Sequence, residues 1–249
     1  MNRDKLIDYL NDEYPPIVAM EDDVIGLEVK GKEDISKVLV TLDISLDVIS
    51  QALSEGVDMI ISHHPLFFGD KMELLDNNPI LKAQVQMLVD KDINIFAIHT
   101  NADFAPNSIA FNQALALETE EIIQTNENQS VLASLKQDIT LQDLIQQIRE
   151  KFDLNYSFRS NANLTDYVKE LHIASGAAGD LILSDNNLNR LFIVGEMKHH
   201  HWVEANNKGY KVLEIGHFSE RVFKYMLQVL LEDKVEVILS EEENGYIHV

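Results

Sequence analysis

The chain has no cysteine. Disulfides and thiolate metal sites are therefore excluded, and any metal must be held by nitrogen and oxygen donors. Positive charge is scarce. Twenty Lys and Arg stand against 42 Asp and Glu, a formal net charge of −22. A field of that sign repels a phosphate backbone, and no local basic patch offsets it, so nucleic acid is not an expected partner. No apolar run approaches the roughly 18 residues of a membrane-spanning helix, so no membrane is expected either. Met1 to Lys5 open an amphipathic helix with no apolar stretch behind them, which reads as a start without a secretory signal. A cytoplasmic location is the expectation, with the acidity serving solubility. Hydrophobic residues make up 45% of the 249 positions, enough for one large core or two small ones.

What is present alternates between two periods. Apolar runs at 38–42, 57–61, 93–98, 131–135, 156–159, 170–174, 191–194, 211–215 and 235–239 read as strands. Helical spacing marks 4–13, 47–55, 80–91, 107–118, 140–152, 196–206 and 218–233. Pro15-Pro16 stop the first helix, Gly56 ends the second, and Thr140 caps the helix that follows it. Gly69 and Pro79 lie in an expected loop. The small residues from Ser175 to Asp180 form a turn into a helix. Strands alternate with helices throughout, so the class is α/β with mixed sheets. The polar, unpatterned Thr125-Asn126-Glu127-Asn128-Gln129-Ser130 is the best domain boundary. It divides a larger α/β domain, 1–125 with 207–249, from a smaller one, 126–206. A Glu-rich tail closes the chain.

The strands end in chemistry. Val57-Asp58-Met59-Ile60-Ile61 runs into Ser62-His63-His64-Pro65-Leu66. Pro65 pushes His64 out of the helical region, so both imidazoles lie in a stiff turn at the carboxyl end of a strand. In open α/β sheets ligands bind there. Adjacent side chains in an extended turn point apart, which favours two metals, each taking one His. The next strand ends in His99-Thr100-Asn101-Ala102-Asp103, read as a loop because of Asn101 and Pro106. Asp103 is a hard-metal ligand that can bridge two ions. His99 is either a proton-transfer group or a ligand's hydrogen-bonding support. A later strand ends in Gly216-His217-Phe218-Ser219-Glu220, with Glu220 in the first turn of a helix, and another ends in Asp43. Gly195-Glu196-Met197-Lys198 leads into His199-His200-His201, from which His200 is a candidate for proton transfer or a plain solvated helix start. Ser175-Gly176-Ala177-Ala178-Gly179-Asp180 could cradle an anion, although a structural turn is the better reading.

Taken in order, these segments resemble one family, the GTP cyclohydrolase I type 2 homologues, also called NIF-three-like dinuclear-metal hexameric proteins. The resemblance is carried by Ser62 to Leu66, His99 to Asp103, Gly195-Glu196 and Gly216-His217 with Glu220-Arg221. Asp22-Asp23-Val24-Ile25-Gly26-Leu27 looks like its N-terminal signature, and Ser175 to Asp180 like its small-residue turn. The resemblance implies two packed α/β domains of NIF-three-like fold and a ring-shaped homohexamer. It implies a site for two divalent ions per chain, zinc, iron or manganese, with His63, His64, Asp103, His217 and Glu220 as ligands. One departure is that only Phe218 and Ser219 separate the last His and Glu, where the family usually has three residues; i and i+3 still share a helix face. It further implies hydrolysis of a nucleotide-like small molecule, for which the residues themselves offer His99 and one of His199 to His201, with His200 taken first, as proton-transfer candidates. The alternative is a non-catalytic metal-binding ring that carries metal or serves as an interaction scaffold.

Overall fold

The computed structural model describes residues 1–125, 130–181, 185 and 187–241. Most of the expected boundary segment, the helix expected after Asp180 and the Glu-rich tail beyond Glu241 lie outside the described residues. The chain divides into two compact units, Met1–Ala105 with Phe223–Glu243, and Pro106–Val222 with Asn244–Val249.

The first unit is built on a five-stranded sheet. Its strands are β1 (Gly26–Val29), β2 (Lys37–Thr41), β3 (Met59–Ser62), β4 (Asn94–Ala97) and β11 (Glu236–Leu239). The order is β1-β4-β3-β2-β11, parallel except for β1. Every residue of β3 and β4 is buried. Continuous apolar runs of this kind belong to parallel strands covered on both faces. Leu39, Ile60 and Ile95 pack with Val48, Ile49 and Ala52 of α2 (Leu46–Glu55) and Val85 and Leu88 of α4 (Pro79–Asp90). Ser45 caps α2, and Gly56 closes it at φ +63°, a left-handed value that glycine takes without strain. The N-terminal helix α1 (Arg3–Glu13) is capped by Asn2.

Two stretches expected as loop are helical. Residues 71–77 form α3 (Lys71–Asn77), which Asp70 starts by accepting from the Glu73 N–H. Gly69 and Pro79 only bound this helix. Thr100–Phe104 form α5, although Asn101 and Pro106 argued for a loop. Its first N–H, on Thr100, is satisfied from outside by Asp23, 3.1 Å away.

The second unit holds a six-stranded sheet in the order β5-β6-β8-β9-β10-β7. These are β5 (Thr119–Gln124), β6 (Val131–Thr140), β7 (Arg159–Ser160), β8 (Tyr167–Ala174), β9 (Leu191–Val194) and β10 (Lys211–Glu214). β8, β9 and β10 run parallel, and the other pairs are antiparallel. Helices α6 (Ile109–Ala116), α7 (Leu141–Lys151) and α8 (His199–Lys208) belong to the same unit. The expected 206/207 boundary lies in α8, and the strands on both sides of 125/126 and of 206/207 pair in this one sheet. Gln124 of β5 pairs with Val131 of β6, and β10 pairs with β9 and β7. After β10 a 3-10 turn, His217–Arg221, leads into α9 (Val222–Leu231). Both sheets are mixed, in the α/β class expected.

Candidate metal centre

In the first unit β2, β3 and β4 lie side by side and parallel, so their carboxyl ends share one edge of the sheet. Asp43 follows β2, His63 and His64 follow β3, and His99 follows β4. Successive N–H groups of a regular strand point to opposite sides. Here the His63 and His64 N–H groups both bond to β2's side, to the carbonyls of Thr41 and Leu42 at 3.1 and 2.9 Å. The chain has left the pleat between them, so the expectation that the two rings point apart is not met. The His63 and His64 centroids are 4.9 Å apart, and His99 lies 5.3 and 5.6 Å from them. The ligand nitrogens of all three lie within 4.8 Å of one another.

Each ring is held by one nitrogen. His63 Nδ1 donates to the Ile98 carbonyl at 2.9 Å. A carbonyl can only accept, so Nδ1 carries the proton and Nε2 the lone pair. Nε2 faces Asp103 Oδ2 at 3.9 Å. His64 Nδ1 bonds to Asp43 Oδ1 at 2.8 Å, and His99 Nδ1 to Asp23 Oδ1 at 2.7 Å. Burial alone would raise the Asp23 carboxyl. Hydrogen bonds from Thr100 and His99, with the charge His99 can carry, outweigh it and hold Asp23 below the usual carboxylate range. Asp23 is thus an ionised acceptor. An imidazole tied through one nitrogen to a carboxylate or carbonyl has its tautomer and orientation set, which is how metal-binding histidines are supported.

The loop after His64 is pinned by β1. Glu28 Oε2 and Oε1 accept from the Leu66 and Phe67 N–H groups, each at 2.9 Å. Lys71 Nζ donates to the Glu28 carbonyl at 2.7 Å. Burial raises the Glu28 carboxyl, against these two bonds and the Lys71 charge.

In the second unit His217 opens the 3-10 turn. Its Nε2 lies 2.9 Å from Glu220 Oε2, and its Nδ1 3.1 Å from Glu196 Oε1. Glu220 is only 2% exposed. The shortened spacing therefore still puts the two side chains together, one helical turn apart. Gly176 makes room for them. It sits at φ +61°, and a Cβ there would meet Glu220 Oε1 at 2.5 Å. The small-residue turn from Ser175 thus clears space for a carboxylate. Gly216, at φ +84°, is equally tight, since a Cβ would meet the Tyr156 hydroxyl at 2.8 Å.

The structure therefore gathers His63, His64, His99 and Asp103 within the first unit, and His217 and Glu220 within the second. His200 stands apart. It is exposed in the first turn of α8, its ring 4.2 Å from that of His201. Among the described residues no cluster of three ligand-bearing side chains includes it. Sequence reasoning missed the roles of Asp23 and Glu28. The Asp22–Leu27 signature was the only signal for the first, and nothing local marked the second. The donor chemistry of the clustered histidines fits a divalent ion of the zinc, iron or manganese type, with imidazole and carboxylate on hand and no thiolate.

The family model Duf34/NIF3 (NGG1p interacting factor 3) matches residues 1–245. A Clostridium perfringens protein named GTP cyclohydrolase 1 type 2 homolog is 25% identical over 257 aligned positions, covering 97% of this chain and 97% of its own. A Campylobacter jejuni protein of the same name is 28% identical over 86% of this chain and 85% of its own. Among solved structures, a hypothetical protein of Staphylococcus aureus superposes with a TM-score of 0.86 at 23% identity, over 100% of this chain and 99% of its own. A Bacillus cereus protein related to NIF3 gives 0.86 at 18% identity over the same shares. These two likenesses speak for the fold. The family match spans both sheets and every strand-end motif, and the chain belongs to the Duf34/NIF3 (NGG1p interacting factor 3) family.

Proposed function

We propose that this chain is a divalent-metal protein that hydrolyses a nucleotide-like substrate. The observation that supports it most is the three-histidine cluster, in which every ring is oriented by an oxygen on Nδ1. The ligands proposed are His63, His64, Asp103, His217 and Glu220, for two ions per chain. A bound divalent ion supplies Lewis-acid polarisation of a substrate oxygen and lowers the pKa of water. The chain's own residues do the rest. Ile98, Asp43 and Asp23 fix the imidazoles. His99, the third imidazole of the cluster, moves protons, with Asp23 keeping its tautomer, and His200 is a solvent-facing imidazole for proton relay. The active assembly is a homohexamer working in the cytoplasm, with no membrane or nucleic-acid partner.

Metal analysis of the purified protein tests this, paired with hydrolysis assays on a nucleotide panel. Close to two ions per chain are expected in the wild type, and none in the protein carrying both His63→Ala and His64→Ala. Hydrolysis of at least one nucleotide should disappear in the same variant. Metal without turnover would point to a carrier or scaffold. Full metal occupancy in the double variant would sink the ligand assignment.

A further inference from the structure

We propose that Phe68 is a stacking surface for the planar heteroaromatic base of a ligand bound at the three-histidine cluster. This deepens the function proposed above and rests on it. Two phenylalanines follow the His-His-Pro turn, and they are used differently. Phe67 is buried in the core at 2% exposure, whereas Phe68 is left 62% exposed. Phe68 is not on a loose tip. The two residues before it are fastened through their N–H groups to one carboxylate, Glu28, and Lys71 stands 4.8 Å over the Phe67 ring. The Phe68 ring is held beside the imidazoles, 5.8 Å from His99 at an interplanar angle of 85° and 6.3 Å from His64 at 51°.

The chemistry narrows the occupant. Two imidazoles contact the Phe68 ring, and more than half of its surface remains in water, so ring face is available to a second aromatic. An apolar hydrocarbon would use that face and waste the polar nitrogens alongside it. A purine or pyrimidine uses both. Its π-face stacks on phenylalanine, and its ring nitrogens and carbonyls are donors and acceptors for Nε2 of His99, the imidazole of the cluster not assigned to metal. Stacking tolerates any base, so Phe68 contributes affinity for bases as a class, and selection among them falls to the polar groups.

The test is calorimetric binding of GTP, ATP, CTP and UTP to the metal-loaded full chain, with inorganic tripolyphosphate as the base-less control. Nucleotides should bind more tightly than tripolyphosphate in the wild type. Phe68→Ala should weaken nucleotide binding on the order of ten-fold. It should leave tripolyphosphate affinity, metal content and assembly mass unchanged. Phe68→Trp should retain the base-dependent affinity. The proposal is overturned if Phe68→Ala binds nucleotides like the wild type, or if no nucleotide outbinds tripolyphosphate in the wild type. It is also overturned if Phe68→Ala changes only the mass seen by light scattering, which would make the ring a subunit contact. Metal analysis of the same samples reports separately on the metal reading. Base-dependent binding lost in Phe68→Ala from a protein that holds no metal would retain the stacking role and remove the metal.

Discussion

His63 and His172 are both buried imidazoles, at 1% and 6% exposure, and they are committed differently. His172, in β8, uses both nitrogens on the protein. Nε2 bonds to Ser130 Oγ and Nδ1 to Asp185 Oδ2, each at 2.7 Å. Asp185 also receives Arg190 Nη1 at 3.0 Å, and its backbone carbonyl accepts from the Tyr210 hydroxyl. His63 gives Nδ1 to a backbone carbonyl and turns Nε2 toward a carboxylate, with two more imidazoles beside it. Ser130, His172 and Asp185 have the order of a nucleophile triad. Yet Ser130 is itself buried, and the chain of bonds ties the start of β6 to β8 and to the segment before β9. Burial of a histidine therefore says little about function. What distinguishes the two regions is where the second nitrogen is spent.

The strongest way to break that contrast is His172→Ala. It takes one partner each from a buried carboxylate and a buried hydroxyl and leaves a cavity, which together should cost about 2–4 kcal/mol of folding stability. Urea unfolding measures it. Metal content should not change, because no cluster of ligand-bearing side chains among the described residues includes His172. A variant of unchanged stability that had lost metal would make His172 part of the metal centre and erase the distinction.

Asp23→Ala tests the other side. It removes the acceptor that orients His99, the proposed proton-transfer group, and loss of such a support typically lowers activity about 10–100-fold. It also removes the partner of the Thr100 N–H at the start of α5, at a cost near 1 kcal/mol. The nucleotide hydrolysis rate gives the activity, and thermal unfolding gives the stability. Asp23→Asn, which keeps an acceptor oxygen, should recover part of the activity. If stability falls and activity stays, Asp23 serves only as a helix cap.

The strand-end histidines were legible because buried parallel strands write themselves as apolar runs, and a polar residue just past such a run has few reasons to be there. The supports were not. Asp23 meets His99 from 76 residues away, and Glu28 meets Leu66 from 38, so no local pattern contains either pairing. The same distance hid α5, whose start is satisfied by Asp23. β6 was foreshortened at Leu135 because exposed Lys136, Gln137 and Asp138 interrupt its alternation, where the pairing with β8 slips between Ser134 and Ile139. The turn around Gly176 reads from the sequence as a structural turn, with an anion cradle as the weaker alternative. Its use lies in the Cβ it lacks, facing a side chain 44 positions later, which only the folded chain shows.

The smallest effect, and the finest test of the contrast, is in pH dependence. Burial lowers the His172 pKa, with Arg190 in support and Asp185 opposing. The native ring is then neutral where an unfolded one, with a pKa near 6.5, takes up a proton. Its contribution to stability is complete above that value and declines as pH falls through it, by at most about 1.4 kcal/mol per pH unit. A second limb lies lower. Burial would raise the Asp58 carboxyl, but Lys32, the Ser36 N–H and hydroxyl and the Lys37 N–H outweigh it and hold the pKa at about 2. An unfolded Asp titrates near 3.9, so this contribution is intact at neutral pH and is lost as pH falls from about 4 toward 2. Unfolding free energies measured on metal-free protein between pH 8 and 3 should show both declines. His172→Ala should flatten the upper one and leave the lower one, and Asp58→Asn should do the reverse. If His172→Ala keeps the full upper decline, His172 does not carry it, and its two bonds do not hold the buried ring neutral.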